Sequence, residues 1–307
     1  LSLMWFKQSL VFRLPAPWSM DLSTLEEKLS LHPFARCSGS ELQSSGWVPP
    51  RPGGPMVFAL NHQWLIALAT EQRLLPASVI NDELKERIEA VEEQQGYSPG
   101  RKQRREMKEQ VAAELLPRAF TRRRTTYVWI DPINGWLVID ASAFAKGEEV
   151  IERLRRDLDE LPASLVRTQL SPTSAMADWL AGGVAPAGFT IDRDCEMKAL
   201  AEEQSAVRYV RHALDGERIA EQIKEHLASG KLPTRLALTW NDRISFVLTD
   251  KLEIKRLAFL DLIKENAEHT AENAEEQFDA DFALMTGELA QFLPALLEAL
   301  GGETVQG

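Results

Sequence analysis

The run Thr125 to Asp140, TTYVWIDPINGWLVID, constrains the fold more than any other segment of the chain. Two stretches rich in β-branched and aromatic residues, Thr125 to Ile130 and Trp136 to Asp140, flank Asp131-Pro132-Ile133-Asn134-Gly135. Asn-Gly accepts the left-handed backbone of a tight turn, so the segment predicts an antiparallel β-hairpin. A helix follows, with Val150, Ile151, Leu154, Leu158 and Leu161 on one face, which completes a strand-strand-helix unit. Further on, Arg235 to Trp240, Arg243 to Thr249 and Ile254 to Leu260 alternate apolar and polar residues across turns at Asn241-Asp242 and Asp250-Lys251. They predict an antiparallel meander covered by helices. The fold class is therefore α+β, without the βαβ series of a doubly wound sheet.

Elsewhere the punctuation is clear. Met4 to Leu14 reads as a strand stopped by Pro15 and Pro17, and a short helix follows with Asp21 or Ser23 as cap and Leu22, Leu25 and Leu29 at helical spacing. Gly46 to Pro55 holds four prolines and three glycines and predicts a loop. Val57 to Leu60 and Trp64 to Thr70 predict a hairpin across Asn61-His62-Gln63. Ile80, Leu84, Ile88 and Val91, then Met107, Val111 and Leu115 after the break Gly96 to Gly100, predict two antiparallel helices. Each has one narrow apolar stripe, so the pair reads as a projecting arm ended by Pro117. Leu170 to Pro186 reads as turn-rich around a short segment, Ala175 to Leu180, and marks a domain boundary. Val207 to Leu214 reads as a strand and Glu217 to Ser229 as a helix stopped by Gly230. In the last helix Phe278, Phe282, Met285, Leu289, Phe292 and Leu296 fall at four-three spacing with Pro294 among them, a stripe that serves either a core or a dimer seam.

Charge is unevenly placed. Arg101 to Arg124 holds nine Lys or Arg against three Glu, in a chain whose formal net charge is −11. Such segregation is unfavourable without an anionic partner, and nucleic acid is the usual one; the competing reading is a solvated helix face. The candidate phosphate ligands are Arg101, Lys102, Arg104, Arg105, Arg118, Arg122, Arg123 and Arg124, with Arg208, Arg211 and His212 as a possible extension in the second half. Phe120 lies apolar among these charges and reads as a protein contact or as a seal on its own hairpin. From Glu265 to the end there are ten acidic residues and no Lys or Arg, so that segment should face away from phosphate. Leu1-Ser2-Leu3 precede Met4, which is read as a start, and are set aside.

Most catalytic motifs are missing. The chain has no G-x-x-x-x-G-K-[ST] loop and no G-x-S-x-G, its five histidines (His32, His62, His212, His226, His269) stand apart from any ligand spacing, and Cys37 and Cys195 are far apart in sequence. Unpaired thiols fit a reducing, cytoplasmic setting. No apolar run is long enough to span a bilayer. The acidic pairs Asp131 with Asp140 and Asp279 with Asp281 are the only candidates for a metal-dependent nuclease, and both sit where a carboxylate has backbone reasons to be: a turn and a helix start. Trp5, Trp64, Trp129, Trp136 and Trp240 lie in apolar strands and read as core. Catalysis and metal binding are therefore not expected, leaving DNA binding first and a basic arm on an acidic protein partner second.

Six segments together, MWFKQSLVFRL from Met4, GWVPP from Gly46, LLPRAF from Leu115, WIDPINGWLVID from Trp129, FDADFALMTGEL from Phe278 and LEALGGE from Leu297, resemble the bacterial recombination-associated protein RdgC family in order over the whole chain. The resemblance implies a ring-shaped homodimer that encircles double-stranded DNA without strong sequence preference, on the nucleoid, with single-stranded DNA as a further candidate ligand. It also implies negative modulation of RecA in recombination and replication restart, with no catalytic activity and no cofactor. Residue by residue it implies that the hairpin arm is Pro76 to Pro117, that Phe120 is an interface residue, and that Arg211 and His212 face the DNA. The implied organisation is a discontinuous α+β domain of residues 4–75 and 125–170, an arm of 76–124, and a second α+β domain of 171–307.

Overall fold

The computed structural model of the chain describes residues 5–199, 205–260 and 273–304. In chain order the elements are β1 (Leu10–Arg13), α1 (Leu22–Ser30), β2 (Gln43–Val48), β3 (Phe58–Leu60), β4 (Gln63–Leu74), α2 (Ala77–Gln95) and α3 (Arg101–Leu115). A 3₁₀ turn (Leu116–Arg118) leads into β5 (Phe120–Asp131), β6 (Trp136–Ile139), α4 (Phe144–Leu158), β7 (Ser164–Leu165) and α5 (Pro172–Gly182). The rest are β8 (Phe189–Ala199), β9 (Ala206–Tyr209), α6 (Glu217–Ala228), β10 (Lys231–Trp240), β11 (Ile244–Thr249), β12 (Ile254–Phe259) and α7 (Ala274–Ala299). The class is α+β, with antiparallel pairing in both sheets.

The chain divides into two compact units, one of Leu1–Asp21, Phe58–Leu65 and Val128–Gly307, the other of Leu22–Val57 and Ile66–Tyr127. In the first, β6 pairs with β5 and β1, and β7 extends β1. Its second sheet runs β12-β11-β10-β8-β9. The hairpin turn between β5 and β6 is built by Asp131, fully buried, whose Oδ1 accepts from the Ile133 and Asn134 amides at 3.0 Å each while Oδ2 accepts from Asn134 Nδ2 at 2.8 Å. Gly135 has φ 73°, and a Cβ there would collide with the Leu14 carbonyl. The apolar stripe of α7 is core: Phe282, Met285, Leu289, Phe292 and Leu296 are buried, and Phe292 meets Phe246 edge-on at 4.8 Å. Trp64, Trp129, Trp136 and Trp240 are buried as expected, and Trp5 is half-buried against Phe259.

In the second unit α1 buries Leu25 and Leu29, and β2 pairs along β4 from Val48↔Ala67 to Gln43↔Gln72. Helices α2 and α3 pack on each other, as the spacing predicts, but α2 buries no residue and α3 buries only Val111. Arg87 Nη2 joins them, 3.0 Å from Glu83 on its own helix and 2.6 Å from Glu114 on the other.

Several expectations need correction. The first strand is shorter than Met4 to Leu14: Met4 lies outside the described residues, and the Lys7 and Gln8 amides donate to Asp140 Oδ1 at 3.2 Å instead of joining a ladder. Gly46 to Val48 is strand, not loop, because the Phe34 backbone crosses where any Cβ at Gly46 would sit and pairs with Trp47. The stretch read as turn-rich around Ala175 is helix α5, capped by Ser171 Oγ accepting from Ser174 N, opened by Pro172 and stopped by Gly183 at φ 65°. The strand expected to reach Leu214 stops at Tyr209, since Arg211 takes φ 59°. Strand β8 is absent from the sequence reading because Asp192, Arg193, Asp194, Glu196 and Lys198 obscure its alternation, yet it pairs with both β10 and β9.

Candidate nucleic-acid interface

The basic stretch lies wholly in the second unit and splits by element. On α3, Lys102 faces Glu106 at 3.9 Å and Arg105 faces Glu109 at 3.7 Å, both one helical turn on. Arg104 is 3.9 Å from Glu92 of α2 and also donates to the Pro99 carbonyl at 2.9 Å. Arg101 is exposed and forms no ion pair among the described residues. Most of the helical cations are thus answered by carboxylates at spacings that local sequence sets.

The exit from α3 is held from a distance. Arg73 on β4 donates to five backbone carbonyls: Glu41 at 3.2 Å, Pro117 at 3.2 Å, Ala119 at 3.3 Å, Cys37 at 3.5 Å and Ser38 at 3.0 Å. One planar guanidinium fork so fixes the 3₁₀ turn against the Cys37–Glu41 loop. Glu71, buried, adds a contact to the Cys37 amide at 2.8 Å. Immediately beyond, Phe120 opens β5 with 86% of its surface exposed, so it does not seal its own hairpin in the single chain.

Strand β5 begins earlier than the Thr125 expected, and Arg122, Arg123 and Arg124 are therefore strand residues, all exposed. A strand alternates its side chains, so Arg122 and Arg124 share one face and Arg123 takes the other, where it stacks on the Phe34 ring at 4.3 Å. None of the three forms an ion pair among the described residues. Arg118 is exposed in the 3₁₀ turn.

Arg208, Arg211 and His212 belong to the other unit. Arg208 Nε is 2.5 Å from Glu196 Oε2 across the β9–β8 pair. Burial works to raise the Glu196 carboxyl, but hydrogen bonds from Lys198, Arg208 and Thr234 outweigh it and hold it below the usual carboxylate range. Arg211 is exposed, with its amide on Asp194 Oδ1 at 2.8 Å, and His212 is exposed with its amide on the Arg193 carbonyl.

Three of the acidic candidates, Asp131, Asp140 and Asp281, accept hydrogen bonds from the chain's own donors. Asp131 holds its turn, as above. Asp140 accepts the Lys7 and Gln8 amides, and burial pushes its pKa up to about 6 despite them. Asp281 is buried and accepts from Gln277 Nε2 at 2.9 Å, and Glu288 is buried against Arg243. Among the described residues no three His, Cys, Asp or Glu side chains gather as a metal site would need. Cys37 and Cys195 are free thiols, and burial pushes Cys195 up to about 12.

A family model described as "Putative exonuclease, RdgC" matches residues 4–303. Proteins named recombination-associated protein RdgC share the full length: that of Dechloromonas aromatica is 65% identical over 303 residues, covering 99% of each chain. Those of Janthinobacterium sp. and Herminiimonas arsenicoxydans are 52% and 51% identical, each over 300 residues, with 98% of this chain and 99% of theirs covered. The chain belongs to the RdgC family. The two kinds of RdgC description differ, one naming a nuclease and the other a role in recombination.

In this RdgC-family chain the sequence reading missed Arg73, whose partners lie more than 30 residues away in either direction, and Arg235, Lys255 and Arg256 on the five-stranded sheet. No local signal marks Arg73. The charged residues of β8 were the available signal for the sheet, since a run of alternating acid and base can be read as a strand with one polar face.

Proposed function

We propose that this chain binds double-stranded DNA without sequence preference, as a ring-shaped homodimer that encircles the duplex and closes through Phe120. It restrains RecA-dependent recombination from the nucleoid, by limiting access to DNA. The observation that carries the reading is the run Arg122, Arg123, Arg124: three consecutive exposed arginines with no carboxylate on them among the described residues, two positions from a phenylalanine that is 86% exposed. Unanswered guanidinium groups suit phosphate, and an exposed ring beside them suits a second copy of the chain. Arg211 and His212 would add to the phosphate contacts from the other unit, and the names of the relatives support a place in recombination. No catalytic step, metal or cofactor enters this reading, and Asp131 and Asp140 act as acceptors for backbone amides.

Binding driven by counterion release weakens steeply with salt. If about 6–10 phosphates are engaged, affinity for plain duplex falls roughly 10³- to 10⁵-fold between 50 and 200 mM salt. A filter-binding titration that barely changes over this range overturns the electrostatic basis. Phe120→Ser should reduce retention on closed circular DNA and shift the chain toward monomer; equal retention removes Phe120 from ring closure. Incubating supercoiled plasmid with Mg²⁺ or Mn²⁺ tests the nuclease description, and nicking that tracks the protein would replace this reading.

A further inference from the structure

One face of the five-stranded sheet holds a cavity of about 320 Å³ that the duplex-binding reading does not require. Its walls carry Arg208, Arg235, Lys255 and Arg256 against two carboxylates, Asp194 and Glu196. Lys255 is paired with Glu253 at 3.0 Å, Arg208 with Glu196 and Arg256 with Asp194, which among the described residues leaves Arg235 as the uncompensated cation of the lining. Val210 and Val247 add apolar surface to the lining.

The register explains the arrangement. Glu196 on β8 stands directly opposite Arg208 on β9 and Arg235 on β10, so the three form one row across the sheet. Glu196 is already engaged by Arg208, Lys198 and Thr234. Arg235 is exposed and has no ion pair or side-chain hydrogen bond among the described residues. On the far side of β10, the β11–β12 ladder slips between Ser245 and Val247. Neighbouring residues of a regular strand point to opposite faces, but at this bulge Lys255 and Arg256 both line the cavity.

Two backbone conformations reinforce the point. Arg256 has φ 49° and Arg211 has φ 59°, a region that side chains other than Gly, Asn and Asp rarely adopt and that persists where surroundings impose it. Asp194 ties both: Oδ1 accepts the Arg211 amide at 2.8 Å, and Oδ2 accepts Arg256 Nη1 at 3.2 Å. The carboxylate therefore aims Arg256 while leaving its other N–H groups without a partner among the described residues.

A concave site of this size, at the small end of ligand pockets, holds one nucleotide and cannot follow a duplex backbone, which needs an extended surface. We propose that this cavity binds one nucleoside monophosphate unit, either a free nucleotide or the phosphate-bearing end of a nucleic-acid strand. Arg235 and Arg256 take the phosphate, and the surfaces of Val210 and Val247 take the nucleoside. Binding here is independent of the duplex contact at Arg122 to Arg124.

Calorimetric titration of the full chain with deoxyadenosine 5′-monophosphate tests this directly. Saturable binding is expected, with deoxyadenosine giving none. Arg235→Gln and Arg256→Gly should each weaken binding by about tenfold or more, since each removes a charged hydrogen-bond partner; glycine keeps the positive φ at position 256 unstrained. No saturable heat with the nucleotide, or unchanged affinity in folded Arg235→Gln, overturns the proposal. Oligonucleotides with a 5′-phosphate or a 5′-hydroxyl separate the two sources. Tighter binding of the phosphorylated strand, lost in the variants, assigns strand ends; equal binding of both strands alongside nucleotide binding assigns the free nucleotide. Closed circular duplex has no ends and should bind both variants as it binds the parent, so failure at either site leaves the other reading intact.

Discussion

The two parts of the basic stretch sit in the same unit and differ in what answers their charge. On α3 the cations Lys102 and Arg105 have Glu106 and Glu109 one turn away, and Arg104 has Glu92 across the helix pair. On β5 the arginines 122, 123 and 124 have no carboxylate among the described residues, and a strand offers no partner one turn on. The lesson is that a cation answered inside the chain has fewer N–H groups left for an external anion, whereas an unanswered one is wholly available. Exposed pairs of the first kind are worth little to stability and are screened by salt, but each keeps a carboxylate beside its cation and so lowers the local positive potential that phosphate meets.

The strongest challenge to this comparison is charge removal at each part. Replacing Arg122, Arg123 and Arg124 together by Gln should weaken duplex binding by roughly 10²- to 10³-fold at about 0.1 M salt and reduce the salt slope by about 3. The same change at Arg101, Lys102 and Arg105 should move affinity by less than about threefold, because Lys102 and Arg105 are already paired with Glu106 and Glu109. Equal losses in a filter-binding series would erase the distinction.

Arg73 is the opposite extreme, a guanidinium answered by five carbonyls. Arg73→Lys cannot reproduce the fork and should lower unfolding stability by about 2 kcal/mol in urea, with the salt slope of duplex binding unchanged. A changed slope would make Arg73 a phosphate ligand. Asp140 sharpens the comparison for acids. Its pKa is raised to about 6 by burial, so the folded state keeps the proton to higher pH than the unfolded chain does. Its contribution is therefore fully present below the unfolded value of about 4 and is lost as pH rises through about 6, by up to about 3 kcal/mol. Asp140→Asn keeps an acceptor for the Lys7 and Gln8 amides and should flatten that slope in denaturation curves; an unchanged slope would clear Asp140 of the effect. The smallest effect belongs to Glu114, which hydrogen bonds from Arg87 hold below the usual range. Its contribution is present above the unfolded carboxylate pKa and lost as pH falls through the folded one. Helical circular dichroism of the parent should fall slightly more than that of Glu114→Gln on acidification from pH 6 to about 3; parallel curves would show the interhelical pair to be inert.

Much of the fold was legible. The Asn134-Gly135 turn, the positive-φ pairs at Asn61-His62 and Asn241-Asp242, and the stripes of α2, α3, α4 and α7 all follow local rules. Strand β8 was illegible because its charged side chains find most of their partners on β9, β10 and β12. Helix α5 was legible in principle from Ser171-Pro172 and Gly182-Gly183, but its low charge and small residues hid the period. Of the candidate site, residue type and local charge marked Arg122 to Arg124 and Phe120; their placement on an exposed strand start required β5 to begin five residues earlier than its apolar run.

The sequence by itself determined where this chain turns, which helix faces are apolar and where positive charge concentrates, because turn chemistry and periodicity act over a few residues. Only the tertiary structure decided which charges are spoken for. Arg73 reaches 32 residues back to Glu41 and 46 forward to Ala119, and Arg256 reaches 62 back to Asp194. Electrostatic pairing depends on distance in space, and strand register and bulges set that distance.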